Sequence, residues 1–418
     1  MESDPSKEPT EARKLGAIRD FFALERNVAV LVGAVFAIGM GEQLWMPFLG
    51  KYLRVLGASV FVVGLFDTLE ALLDAVYQYP GGVISDRLGR RRSLVLYNLL
   101  AVVGYILYAI GVHWGFIFAG LLFVMAWGGL SLPATFALIG DTLPQSKRAM
   151  GFSVQSILKR APIVVGPLIG GALLDRYGIA GGMRVALLVT IPLALGTAWL
   201  QQRMYREKPR DRPPEQMSVW ESFLGLSVPL KRLLIAEILT RFGQRVAKAF
   251  IILYAMEVVG VTSAQYGSLW SLQMTVSILT YIPIARLADR YGRRPFVLAA
   301  FVLFAAYPLA IGLSPSYLAL LFAFAVAGSR ELGEPARKAL IVDLAHPERR
   351  GRDVGVYYLI RCLCVIPAPL LGSVLYKRNP LMCFAVATGI ATLGLLWFAF
   401  GCRTPAAKAG GASAEPGE

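Results

Sequence analysis

Residues 82–92 read Gly-Val-Ile-Ser-Asp-Arg-Leu-Gly-Arg-Arg-Arg, and residues 285–294 read Ala-Arg-Leu-Ala-Asp-Arg-Tyr-Gly-Arg-Arg. Each stretch lies between two long apolar runs. Gly82, Gly89 and Gly292 permit a tight turn between helices. Asp86 and Asp289 can each meet the positive N-terminus of a neighbouring helix. Arg87, Arg90 and Arg91, and likewise Arg290, Arg293 and Arg294, hold such a turn at a membrane surface. One copy would be an ordinary charged loop. Two copies in register are an internal repeat.

The register extends in both directions. At a shift of 202–203 residues, Gly57 falls on Gly260, Gly64 on Gly267, Asp141 on Asp343, Arg148 on Arg350, Lys159 on Arg361, Pro167 on Pro369 and Gly170 on Gly372. Pro133-Ala134 falls on Pro335-Ala336. Apolar similarity alone does not align this many polar, glycine and proline positions. Parallel halves of this kind build transporters with a central site.

Composition agrees with that reading. Of 418 residues, 56% are hydrophobic and 17% charged, and the mean hydropathy is +0.58. A soluble domain has about 45–50% apolar and about 25% charged residues. A membrane span needs roughly 20 apolar residues. Apolar runs fall near 28–50, 60–84, 94–112, 115–139, 152–174 and 181–200, then 232–256, 265–288, 295–313, 316–340, 353–376 and 380–402. The reading is an all-α membrane protein of twelve transmembrane helices in two pseudo-symmetric six-helix bundles. Its expected parts are a polar N-terminal segment (1–27), a first bundle (28–200), a linker (201–231), a second bundle (232–402) and a tail (403–418). Acids at Glu2, Asp4, Glu8 and Glu11, and the absence of a small-residue cleavage pattern, predict an uncleaved first helix.

The net charge is +15, from 42 Lys+Arg against 27 Asp+Glu. In a membrane protein this excess marks internal loops rather than a nucleic-acid partner. It sets both termini and the linker in the cytoplasm, with the chain in the plasma (inner) membrane. The cysteines Cys362, Cys364, Cys383 and Cys402 fit no zinc or redox spacing and read as packing residues. Two histidines are too few for a His-rich metal site, so no metal or cofactor is expected. No phosphate-binding loop and no hydrolase motif occurs, which argues against an ATP engine and against an enzyme.

The paired loops resemble the signature loop of the major facilitator superfamily, and the resemblance covers residues 28–402. By it, the acidic and basic loop residues latch a cytoplasmic gate. Ala285 stands where that family usually has glycine. Gly166-Pro167-Leu-Ile-Gly170-Gly171 is similar to the core of a motif of its drug/proton antiporters. The upstream glycines of that motif are absent, Pro162 precedes it, and helix 4 has no charge. The resemblance implies transport of a small solute by a monomer in a lipid bilayer, with a proton gradient as the energy source.

Charges within the spans mark the candidate site. Glu42 lies in helix 1; Asp67, Glu70 and Asp74 lie on one face of helix 2. Helix 7 carries Glu237, Arg241, Arg245 and Lys248 on one face, and helix 11 carries Arg361. Helix 10 carries Arg330, Glu331, Glu334, Arg337 and Lys338, and Glu334 can pair with Arg330 and Lys338. A central carboxylate costs about 2.5–3.5 kcal/mol on insertion scales unless compensated. The expectation is an acidic first half facing a basic second half, with Arg245 opposite its repeat-equivalent Glu42. Asp67, nearer the outer surface, reads as solvated. Trp45, Tyr77, Tyr79, Trp127, Trp270 and Tyr281 read as packing or interfacial residues before pocket residues. The favoured function is proton-driven efflux of an amphiphilic or organic compound, through Glu42, Glu70 or Asp74. Alternatives are a uniporter or flippase for an anionic solute or lipid, held by Arg241, Arg245, Lys248 and Arg361, and a non-transporting receptor or scaffold.

Overall fold

A computed structural model describes residues 26–130, 145–204, 225–346 and 350–402. Grouped at their turns, the helices among the described residues make twelve passages. Helix α1 is Arg26–Trp45, followed by a 3-10 turn, Met46–Phe48, and a short helix, Leu49–Val55. Next come α2 (Val60–Leu88), α3 (Arg90–Ile110) and α4 (Trp114–Met125, extended by a π-turn over Ala126–Leu130). One helical stretch, Gln145–Met204, breaks at Gly178 into α5 (145–177) and α6 (179–204). In the second half, α7 is Val228–Lys248, α8 Ser263–Tyr291 and α9 Arg293–Gly312. Helix α10 runs Tyr317–Ser329, tightens to 3-10 over Arg330–Gly333 and continues as Glu334–Leu344. Helix α11 is Arg350–Val365 with Ala368–Arg378 beyond a turn, and α12 is Pro380–Leu396.

The repeat is written in the backbone. Gly57 (φ 85°) and Gly260 (φ 80°) precede α2 and α8; Gly89 (φ 86°) and Gly292 (φ 88°) follow them. These left-handed positions favour glycine at both ends of both helices. Both helices start on a hydroxyl cap. Ser59 accepts from the Val62 amide at 3.3 Å, and Thr262 from the Gln265 amide at 3.2 Å. Gln265 reciprocates on the Thr262 amide at 2.9 Å, completing a capping box.

Tyr52, Tyr105, Tyr108, Tyr266 and Tyr307 are buried in one core that continues across both halves. Leu318 (75%), Phe322 (73%) and Phe400 (79%) lie exposed. Large exposed apolar side chains suit lipid rather than water. Among the described residues, five helical stretches are long and apolar enough to cross a membrane: Arg91–Ile110, Arg160–Met204, Arg293–Gly312, Asp353–Arg378 and Pro380–Gly401. They omit α2, α7 and α10, which carry most of the charges described below.

Candidate functional site

Two charged clusters meet on α7. The first joins the halves. Asp67 of α2 accepts a hydrogen bond from Lys248 Nζ at 3.1 Å and faces Arg245 Nη1 at 3.6 Å. Asp67 is 6% exposed, so the expectation of a solvated residue is corrected: it is the acid that meets the second half. Glu70 stands one turn on, on the same face of α2. The Arg245–Asp67 separation exceeds a hydrogen bond, and both Asp67 Oδ2 and Arg245 Nη1 are buried without a hydrogen-bond partner.

Arg245, expected opposite Glu42, faces Asp67 of α2. Glu42 instead accepts a hydrogen bond from the Tyr105 hydroxyl at 2.7 Å, within its own half. Repeat symmetry places backbones, whereas side-chain pairing depends on reach across the crossing, and α2 passes nearer Arg245. Asp74 is half-buried one turn beyond Glu70.

The second cluster lies inside the second half. Glu237 of α7 is 1% exposed. It accepts from Arg361 at 2.6 Å, from Arg337 and from the Tyr357 hydroxyl, and it faces Arg241 Nε at 3.8 Å. Glu334 pairs with Arg337, with Arg241 at 3.2 Å and with Lys338 at 3.3 Å. The expected Glu334–Arg330 pair is replaced, because the 3-10 turn swings Arg330 onto Glu331 (3.5 Å) and over the Tyr307 ring (4.5 Å). Glu237 and Tyr357 were not among the sequence candidates. Glu237 stood on the α7 face already quoted, and its partners are remote in sequence.

A cavity of about 450 Å³ opens beside these clusters. Arg241, Arg245, Lys248 and Arg361, all sequence candidates, line it, together with Gln244, Glu334, Arg337, Lys338, Tyr358, Cys362 and Val365. Drug-sized ligand sites span about 300–1,000 Å³. Trp45 and Trp127 pack away from this lining. Trp45 sits edge-on between Tyr105 and Tyr108, at 5.9 and 5.5 Å, and Trp127 is buried in the core. The side chains of Tyr79 and Tyr281 lie outside the described residues. Cys383 and Cys402 are buried, as packing residues should be, but Cys364 is exposed.

A paired-loop repeat, parallel halves and a charged cavity beside their junction are now in view. A model of the Major Facilitator Superfamily matches residues 31–236 and 233–417. The chain belongs to the major facilitator superfamily. Accordingly it is a multi-pass membrane transporter and not an enzyme. Its relatives include a multi-drug resistance efflux pump PmrA homolog of Lactococcus lactis subsp. lactis (strain IL1403), 25% identical over 84% of this chain and 88% of that protein. Another is the multidrug resistance protein MdtG of Klebsiella pneumoniae (strain 342), 24% identical over 92% of this chain and 95% of that protein. The fold matches the crystal structure of a POT family transporter in complex with a thioalcohol-conjugated peptide. The TM-score is 0.75 at 16% identity, over 91% of this chain and 97% of that one.

In this major facilitator the glycine-proline motif seals the junction at the Gly57/Gly260 ends of α2 and α8. Gly166 and Gly170 press on α1, where an added Cβ would lie 2.5 Å from Gln43 Cβ and 2.0 Å from the Leu44 carbonyl oxygen. A Cβ added at Gly171 would lie 2.5 Å from the Ser263 carbonyl oxygen, and one added at Gly267 of α8 would clash with the Pro167 carbonyl oxygen. At the repeat-related crossing, a Cβ added at Gly64 of α2 would lie 2.7 Å from the Pro369 carbonyl oxygen. Asp175 accepts from the Ser263 and Ala264 amides at 2.8 and 3.0 Å, capping the first turn of α8 from the other half. Lys51 (2.8 Å) and Arg54 (3.6 Å) reach across to Glu257.

At the gate loops, Arg293 pairs with Asp343, and Arg294 donates to the Ala399 carbonyl at 2.9 Å. Arg290 lies over the Tyr291 ring, while Arg87 is exposed and Arg91 half-buried. The side chains of Asp86, Arg90 and Asp289, and the burial of Gly82, lie outside the described residues. So do the 131–144 loop, most of the linker, the Lys159 side chain and both chain ends.

Proposed function

We propose that this transporter exports an amphiphilic organic compound in exchange for inward-moving protons. It works as a monomer in the plasma (inner) membrane, with both termini cytoplasmic and no cofactor. What carries the reading is the Asp67–Glu70 pair at the junction of the halves, set against Arg245 and Lys248. Two carboxylates three residues apart on one helix face repel each other in a shielded site, which favours a single proton on the pair. With that proton present, one negative charge faces two cations. Without it, two do, and the link between the halves tightens. Proton binding and release thereby bias one facing state over the other, as a coupled exchanger requires. The relatives named as multidrug efflux proteins support the direction and the breadth of substrate.

The sealed junction at the Gly57/Gly260 ends supports a state closed on the outer side, from which the cavity serves the cytoplasm. In proteoliposomes with an imposed pH gradient, Glu70→Gln and Asp67→Asn are expected to slow gradient-driven transport about tenfold while leaving exchange between two equal substrate pools. Glu42→Gln and Asp74→Asn are expected to weaken it less. Unchanged gradient dependence in all four variants would remove the proton step.

A further inference from the structure

We infer that the cavity beside α7, α10 and α11 is a subsite for an organic anion, a compound with a carboxylate, sulfonate or phosphate group on an apolar body. The inference rests on the reading of this cavity as the transport site and names its substrate class. Arg241, Arg245, Lys248, Arg337, Lys338 and Arg361 line the space, against one carboxylate, Glu334. The acids behind this wall do not balance it. Glu237 accepts from Arg361 and Arg337 and faces Arg241, and Asp67, with Glu70 one turn on, faces Arg245 and Lys248. Even with Asp67, Glu70, Glu237, Glu331 and Glu334 all ionised, five negative charges meet the six lining cations and Arg330.

Two cations have capacity to spare. Arg245 keeps 28% of its side chain exposed and meets Asp67 at 3.6 Å, beyond a hydrogen bond, and Lys338, paired with Glu334, is 55% exposed. Part of the lining suits an apolar body. Tyr358, Cys362 and Val365 follow one another at spacings of four and three, on one face of α11. The Tyr358 ring is itself held beneath Arg361, 4.6 Å from the guanidinium carbon. An anion entering here replaces the missing acid, and it gains charge-assisted hydrogen bonds in a site partly shielded from water. A cation of the same shape meets six like charges.

The test uses two probes with one body and opposite charge, naphthalene-2-sulfonate and 2-naphthyltrimethylammonium. Binding to the purified full chain in neutral detergent is measured by titration calorimetry, with no ion gradient. The sulfonate should bind at least about tenfold more tightly than the ammonium probe, and more weakly as salt rises. Lys338→Gln and Arg245→Gln should each weaken it roughly tenfold, while Arg245→Lys keeps most of the affinity. Lys338 is half-exposed, so its variant tests the site without threatening the fold. Equal or tighter binding of the ammonium probe, binding of neither probe, or unchanged sulfonate affinity in the Arg245→Gln/Lys338→Gln double variant would overturn the proposal.

The same titration in phosphatidylcholine nanodiscs, with and without phosphatidylglycerol, separates two sources of the anion. Displacement of the sulfonate by phosphatidylglycerol assigns a lipid headgroup to the subsite, and no displacement assigns a free solute; both uphold an anion site. Because no gradient is used, a failure here leaves the proton step standing, and a failure of the proton step leaves this result standing.

Discussion

Helices α1 and α7 hold equivalent places in the two halves, yet their buried faces differ in kind. Ala34 and Ile38 are fully buried in α1 at the positions where α7 has Glu237 and Arg241, and Glu42 stands where α7 has Arg245. The first half fills this layer with hydrocarbon and tyrosine; the second fills it with a closed network of guanidinium and carboxylate groups. One scaffold tolerates both because every acid in the network is met by several bases. The comparison teaches that the halves divide the work: the first supplies titratable carboxyls, the second supplies fixed positive charge.

The largest expected effect comes from opening that network. Glu237→Gln leaves Arg337, Arg361 and Arg241 facing a neutral amide in a buried site. Removing one partner of a buried ion pair costs about 3–5 kcal/mol. The unfolding midpoint in detergent should fall sharply, whereas Ala34→Gly in the equivalent layer should cost only about 1 kcal/mol. Similar shifts for the two would show that the network adds nothing beyond packing.

Next come the two glycine crossings, which sharpen the comparison at the junction. Gly267→Ala drives a methyl to 2.1 Å from a carbonyl oxygen, and Gly64→Ala to 2.7 Å. Overpacking of this kind costs about 1–3 kcal/mol, with Gly267 at the upper end. Both variants should raise thiol labelling of a cysteine placed at Ser263, Gly267→Ala more so. Labelling that stays at the wild-type level would break the assignment of a sealed outer junction.

The smallest effect tests an asymmetry between the crossings. Asp175 caps α8, but its repeat equivalent is Lys377, which cannot cap the start of α2. Asp175→Ala should cost about 0.5–2 kcal/mol, as for other lost caps, and Lys377→Ala close to nothing in the same thermal unfolding assay. Equal shifts would mean that Asp175 acts only as a surface charge.

The gate loops and the repeat were legible because they are local. A turn glycine, its flanking arginines and its partner 203 residues later can be read from letters alone, and the positive φ angles at Gly57, Gly89, Gly260 and Gly292 follow that reading. The cations of α7 and α11 were legible as a face, and they line the cavity. The pairings were not. Asp67 was read as solvated because its place along α2 is near one end, and nothing in the sequence says which helix crosses there. The Arg330 contact depended on a 3-10 turn that hydropathy does not announce. Glu237 looked like one charge on a mixed face, because Arg337, Tyr357 and Arg361 come together with it only after the second half has folded. The role of Asp175 was hidden for the same reason: the amides it caps belong to the other half.

The central claim is that one ion-pair link, Asp67 to Lys248, works as a unit across the halves. A double-mutant cycle on pH-gradient-driven transport with Asp67→Asn, Lys248→Gln and the pair addresses it most directly. If the link acts as a unit, the double variant is no slower than the slower single variant. If the two losses multiply, each residue acts alone, and the account of a proton-controlled junction fails.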